Sequence, residues 1–193
     1  MTLVNLKSLL IDQWINQDTL NELKILAQST TNLLIVGSNK DLNTTLLKAL
    51  FHEKRYNRLP AIILKEDTSI DFRSMYPEDE ILPLNNFKSV LGARAFLDGI
   101  PEAQVVIADI KSPITSELYT LCCEGLRNDV LAAHTCAGDL NAIKQSIASL
   151  NQDENRNLPF NMVLERVQRM LEIIILCNET DGKISITIHR NIN

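Results

Sequence analysis

The sequence predicts an α/β domain: a mainly parallel sheet flanked by helices and closed by a C-terminal β-hairpin. Three observations carry that expectation. Residues Leu33–Leu50 (LLIVGSNKDLNTTLLKAL) pass from a short apolar run through Gly37 and a polar turn into an apolar-periodic helix. Strand and helix patterns then alternate along the chain, which calls for crossover connections between parallel strands. Near the end, Asp181-Gly182 separates two β-branched runs, a strong signal for a two-residue hairpin turn.

The elements follow in order. Leu3, Leu6, Leu9, Leu10 and Trp14 recur at helical spacing, and Asp18-Thr19 restarts the pattern with Leu20, Leu23, Ile25, Leu26 and Ala27, with Asp18 as N-cap. Leu33–Val36 is short, bounded and wholly apolar, the signature of a strand buried on both faces. A helix over Thr44–Glu53 follows, capped by Asp41 or Asn43. Arg58-Leu59-Pro60 breaks the chain before a second buried strand, Ala61–Leu64. Glu66–Asn86 is acidic and aperiodic, a loop with a short strand near Ile81–Leu84. Asn86–Leu97 is a helix, ended by Gly99-Ile100-Pro101. Gln104–Ile110 (QVVIADI) is the clearest strand. Ser116–Gly125 is a helix, Val130–Ala133 a strand, Asp139–Leu150 a helix and Asn151–Asn157 a polar linker. Asn161–Leu171 is a helix, and Ile173–Cys177 and Ile184–His189 form the hairpin.

Composition narrows the function. With 193 residues the chain makes one domain, read as a helical segment over 1–30 and a core over 31–193. A net charge of −5 and a pI near 5.2 argue against direct nucleic-acid binding. No apolar run reaches the roughly 20 residues of a membrane span, and the first residues lack a secretory pattern, so a cytoplasmic protein is expected. Cys122, Cys123, Cys136 and Cys177 contain no C-x-x-C and read as reduced, packed thiols. Lys54, Arg55 and Arg58 read first as a solvated basic face.

The Leu33–Leu50 stretch has the layout of a phosphate-binding loop, in which backbone N–H groups and a helix N-terminus face an anion. Against G-x-x-x-x-G-K-[ST], Gly37 and Thr44 are in place, while Leu42 stands for the second glycine and Asn43 for the lysine. A branched side chain resists close ligand approach, and losing the lysine removes a charge-assisted contact. Asp41 adds a like charge, worth about 1 to 4 kcal/mol at roughly 4 Å in wet surroundings. Asp41 is also expected to cap the helix where a phosphate would sit. Lys40, or a basic group from a neighbouring molecule, is the candidate substitute for the lysine.

Taken together, these boxes resemble the ATPases of type II/IV secretion, conjugation and Tad-type pilus machines, a branch of the RecA-like P-loop ATPases. Thr30-Thr31-Asn32 with the loop, Glu66-Asp67-Thr68, VVIADIKSPITSEL, and the run from Ala108 to His134 carry the likeness, which spans residues 18–190. It implies a RecA-like core with Gly37, Lys40, Thr44 and Thr45 at a nucleotide and Thr44 with Asp109 on Mg²⁺. It further implies Glu66, Asp109 and His134 as the catalytic set. Family members have Glu where this chain has Asp109, Arg where it has Lys111, and an Arg-rich run where it has Phe96–Glu102. The resulting expectation is a non-hydrolysing or weakly ATP- and Mg²⁺-binding paralogue, a structural or regulatory part of a secretion or pilus machine. It would work at the inner-membrane face, beside an intact ATPase, in an oligomer or alone. The alternative is an active ATPase with a deviant loop; a third reading is a binding module that takes no nucleotide.

Overall fold

The computed structural model describes residues 4–54, 60–65, 81–85, 89–126 and 129–191. Two short helices, α1 (Leu6–Ile11) and α2 (Gln17–Gln28), precede β1 (Leu33–Gly37) and α3 (Lys40–Lys54). Next come β2 (Ala61–Lys65), β3 (Ile81–Asn85), α4 (Val90–Asp98) and β4 (Gln104–Ile107). Helix α5 (Pro113–Leu121) runs into a π turn, Cys122–Leu126, and then β5 (Val130–Thr135). The chain ends with α6 (Leu140–Glu154), α7 (Phe160–Met170), β6 (Ile173–Thr180) and β7 (Lys183–Arg190).

Among the described residues the strands form one seven-stranded sheet in the order β3-β2-β4-β5-β1-β6-β7. All pairings are parallel except β6–β7, whose register runs unbroken from Ile173↔Arg190 to Thr180↔Lys183. Asp181 and Gly182, at φ 52° and 73°, make the predicted turn. Strand β1 lies inside the sheet, between β5 and β6, and both its faces are apolar. Leu33 and Ile35 pack with α1, α2 and α3 on one side, while Leu34 and Val36 pack with α5, α6 and α7 on the other. This is a RecA-like α/β sheet, with β5 inserted between β1 and β4.

Polar side chains pin the lower, N-terminal ends of the strands. Asn32, just before β1, takes the Val130 N–H on Oδ1 at 3.1 Å, and its own N–H and Nδ2 donate to the Glu172 carboxylate. One buried side chain thus ties the starts of β1, β5 and β6. Beside it Lys54, 1% exposed, donates to Asp129 Oδ1 at 2.6 Å and to the Ser29 carbonyl at 3.1 Å. The expected solvated face is therefore wrong for Lys54; Arg55 and Arg58 lie outside the described residues.

Several boundaries differ from expectation for local reasons. The N-cap of α2 is Asn16, whose Oδ1 accepts from Thr19 N at 2.8 Å, and Asp18 sits in the first turn. Strand β4 stops at Ile107, and Ile110 N turns across to the Ala133 carbonyl at 2.8 Å. Helix α6 continues to Glu154 through the supposed linker because Asn151 is buried and donates to Thr120 Oγ1 at 2.6 Å. Arg166 on α7 clamps Glu117 and Glu124 at 3.0 and 2.7 Å, joining α7 to α5 and its π turn.

Breaking a buried pair strands its partner's charge, whereas replacing both members does not. Lys54→Met is expected to lower unfolding free energy by about 3–5 kcal/mol in urea titration, with most of that recovered in Lys54→Met/Asp129→Leu.

Candidate functional site

The parallel register brings the C-terminal ends of β1, β4 and β5 together, placing Val36 beside His134 and Gly37 beside Thr135. In sheets of this kind a ligand crevice lies at that edge. Gly37 must be glycine for packing reasons: a Cβ there would collide with the Cys177 carbonyl of β6 and press on Asn43 Oδ1 at 2.7 Å.

The turn after Gly37 is short. Helix α3 starts at Lys40, before the expected Thr44, so the residues matching the phosphate-loop pattern at 40–43 are themselves helical. Asn39 is the cap. Its Oδ1 accepts from Asp41 N at 3.0 Å and Leu42 N at 3.3 Å, and its backbone carbonyl accepts from Asn43 N at 3.1 Å. Asp41, expected to cap, is instead an exposed first-turn residue whose carbonyl accepts from Thr45 Oγ1. A carboxamide oxygen thus stands before the helix N-terminus and takes up donors that an anion would use. The Asn39 amide is held in turn by Glu179 Oε2, at 3.0 Å.

Asn43 closes the turn from inside. It is 2% exposed, and its Nδ2 donates to the Gly37 carbonyl at 2.9 Å and the His134 carbonyl at 3.3 Å, bridging β1 and β5. No residue from Gly37 to Asn43 has a positive φ, so the backbone forms no alternating nest of N–H groups. As it stands, the turn does not fit a triphosphate cradle.

Beyond β4 and β5 lies a groove of about 630 Å³ lined by Asp109, Lys111, His134, Thr135, Ser149 and Asp153, among others. Burial pushes the Asp109 carboxyl above the usual carboxylate range, opposed by Lys40, His134, Lys111 and the Thr135 N–H. His134 is 4% exposed. Its Nδ1 lies 2.6 Å from the Ile110 carbonyl and its Nε2 2.9 Å from Ser146 Oγ. The carbonyl can only accept, so Nδ1 carries the proton and Nε2 accepts from the hydroxyl. Burial holds this imidazole below its ordinary pKa, and both nitrogens are engaged.

The structure therefore gathers Gly37, Lys40, Thr44, Thr45, Asp109 and His134 around one edge of the sheet. Lys40 is exposed and reaches Asp109 electrostatically. Thr44 and Thr45 are half-buried on α3. Glu66 lies outside the described residues. Sequence reading missed Asn39, Ser146 and the inward turn of Asn43. An asparagine just before K-D-L is an ordinary N-cap signal, obscured by aligning the stretch to a longer loop.

No known family model matches the chain, and no curated protein matches it by sequence. Solved structures do match in fold. The VirB11 ATPase of the Brucella suis type IV secretion system, crystallised with sulphate, superposes with a TM-score of 0.67 at 16% identity, over 96% of this chain and 55% of that one. The pilus retraction motor PilT with bound ADP gives 0.60 at 14%, over 97% and 52%. The Legionella pneumophila ATPase DotB gives 0.57 at 10%, over 92% and 48%. The chain spans about half the length of these proteins, and it shares a fold with that part of each rather than a recognisable sequence.

Removing a helix cap typically costs about 1 kcal/mol; Asn39→Ala is expected to lose about that in urea titration, with its circular dichroism preserved. His134 gives a pH signature. Its folded pKa lies below the unfolded value of 6.5, so its contribution is complete above that value and is lost as pH falls toward the folded pKa. Asp109, shifted upward, acts with the opposite sign and is common to both proteins. Melting curves across pH should show the acid decline of the native chain flattened in His134→Asn.

Proposed function

We propose that this chain is a non-hydrolysing, or at most weakly nucleotide-binding, relative of the secretion, conjugation and pilus ATPases. It serves as a structural or regulatory component of such a machine. The observation that carries the reading is the self-closed turn after β1. To admit a triphosphate, the first turn of α3 would have to unwind, breaking the Asn39 cap and the Asn43 bridge together. Those bonds compete directly with phosphate, and the lysine that would offset their loss is absent.

The remaining groups favour the same reading. His134 has both ring nitrogens committed inside the fold. Asp109 is shorter than the family glutamate, and Lys40, His134 and Lys111 act on it electrostatically. Among the described residues no group of three or more acidic, cysteine or histidine side chains could hold a metal ion, and no helix is long and apolar enough to cross a membrane. The partners proposed are proteins of the machine, including an intact ATPase, met through the surface of a soluble fold.

A ligand at 100 times its dissociation constant adds about 2.7 kcal/mol of stability. Millimolar Mg-ATP is expected to leave the melting temperature unchanged and to release no phosphate above the level of Asp109→Ala. Turnover that disappears in Asp109→Ala would establish the alternative, a working ATPase with an unusual loop.

A further inference from the structure

Among the described residues, the two outermost strands of the sheet are built differently. Strand β3 carries Pro83 at its centre, which interrupts the row of donors an edge would offer to another strand. Strand β7 carries no such guard. From Ile184 to Ile188 it has no proline, no glycine and no charge, and its register with β6 is free of bulges. The parity of its bonds is fixed by the two-residue turn and by Asn191 N donating to the Glu172 carbonyl. Lys183, Ser185, Thr187 and His189 therefore face their backbone groups toward β6. Ile184, Ile186 and Ile188 turn theirs outward.

The side chains at this edge are arranged for one kind of neighbour. Ile184, Ile186 and Ile188 lie on the face covered by α1 and α2, partly buried against that core. Next to them, under the turn between those helices, is a groove of about 560 Å³ whose walls include Leu10, Trp14 and Ile15. A strand added to β7 would drop its own alternate side chains along this groove, so the site calls for apolar, β-branched residues at every second position.

We propose that the occupant is β7 of a second copy of this chain, paired antiparallel about a two-fold axis at Ile186. In that register Ile186 meets itself and Ile184 meets Ile188 on the groove face, while Ser185 meets Thr187 on the other. These are favourable cross-strand pairs. Lys183 falls opposite His189 and Arg190 opposite Gly182, so the two fixed cations are not set against each other. Three residues from each copy supply about six backbone bonds, and the isologous contact closes on itself. The proposal is independent of what happens at the turn after β1.

Light scattering of the purified chain is expected to give twice the 21.7 kDa chain mass. Ile186→Pro should give a monomer with unchanged circular dichroism, because the lost N–H bonds nothing among the described residues. A directly opposed, hydrogen-bonded pair has its Cα atoms about 5.5 Å apart, within disulfide range. Mild oxidation should therefore cross-link Ile186→Cys to itself and leave Thr187→Cys uncross-linked. A native chain that is monomeric at its solubility limit would overturn the proposal. So would a dimer unaffected by Ile186→Pro, or equal cross-linking of the two cysteine variants.

Discussion

The constraint on which the upper edge of the sheet depends is the brevity of the connection between β1 and α3. Ser38 and Asn39 alone separate the strand from the helix. A helix starting that close presents its first N–H groups directly at the strand end, and something must satisfy them. Asn39 does so with one oxygen. The next buried position, Asn43, reaches back to the carbonyls of Gly37 and His134. Its own Oδ1 has no partner among the described residues, a burial cost of about 1–3 kcal/mol that the two donated bonds offset. The ends of β1, β5 and β6 are drawn together by this arrangement, and Gly37 is what lets the Cys177 carbonyl come so close.

The two ends of the strands are stabilised by different chemistry. The lower end is held by the buried Asn32 donating to the exposed Glu172 carboxylate and by the buried ion pair of Lys54 with Asp129. The upper end is held by neutral amides and by an imidazole kept neutral by burial. An edge that serves a polyanion concentrates positive charge. Here Lys40 and Lys111 stand among the carboxylates of Asp41, Asp109, Asp153 and Glu179.

Most of the fold was legible because it follows from periodicity. The buried runs at Leu33, Ala61 and Gln104, and the Asp181-Gly182 turn, each have a single reasonable reading. What escaped was set by pairing across long sequence distances. Lys54 reads as a surface cation until Asp129 is placed beside it, and Asn151 reads as a linker residue until Thr120 is found below it. At the candidate site, Gly37, Asp109 and His134, chosen from the likeness to a known loop, lie toward the same end of the strands. That likeness also imposed a loop length that the chain does not have, which moved the cap from Asn39 to Asp41. Ser146 was invisible for the usual reason: a serine on a helix carries no signal until the helix is docked.

The inward Asn43 also limits how this chain can change. To acquire the G-x-x-x-x-G-K-[ST] pattern, position 42 would have to lose a leucine that is 7% exposed and packed in the core, a loss of about 2–5 kcal/mol. Position 43 would have to accept an ammonium group where a neutral amide now bridges two strands. Either step alone weakens the scaffold before any ligand can compensate. The turn therefore behaves as a ratchet at these two positions, where neither substitution made first leaves the protein as stable.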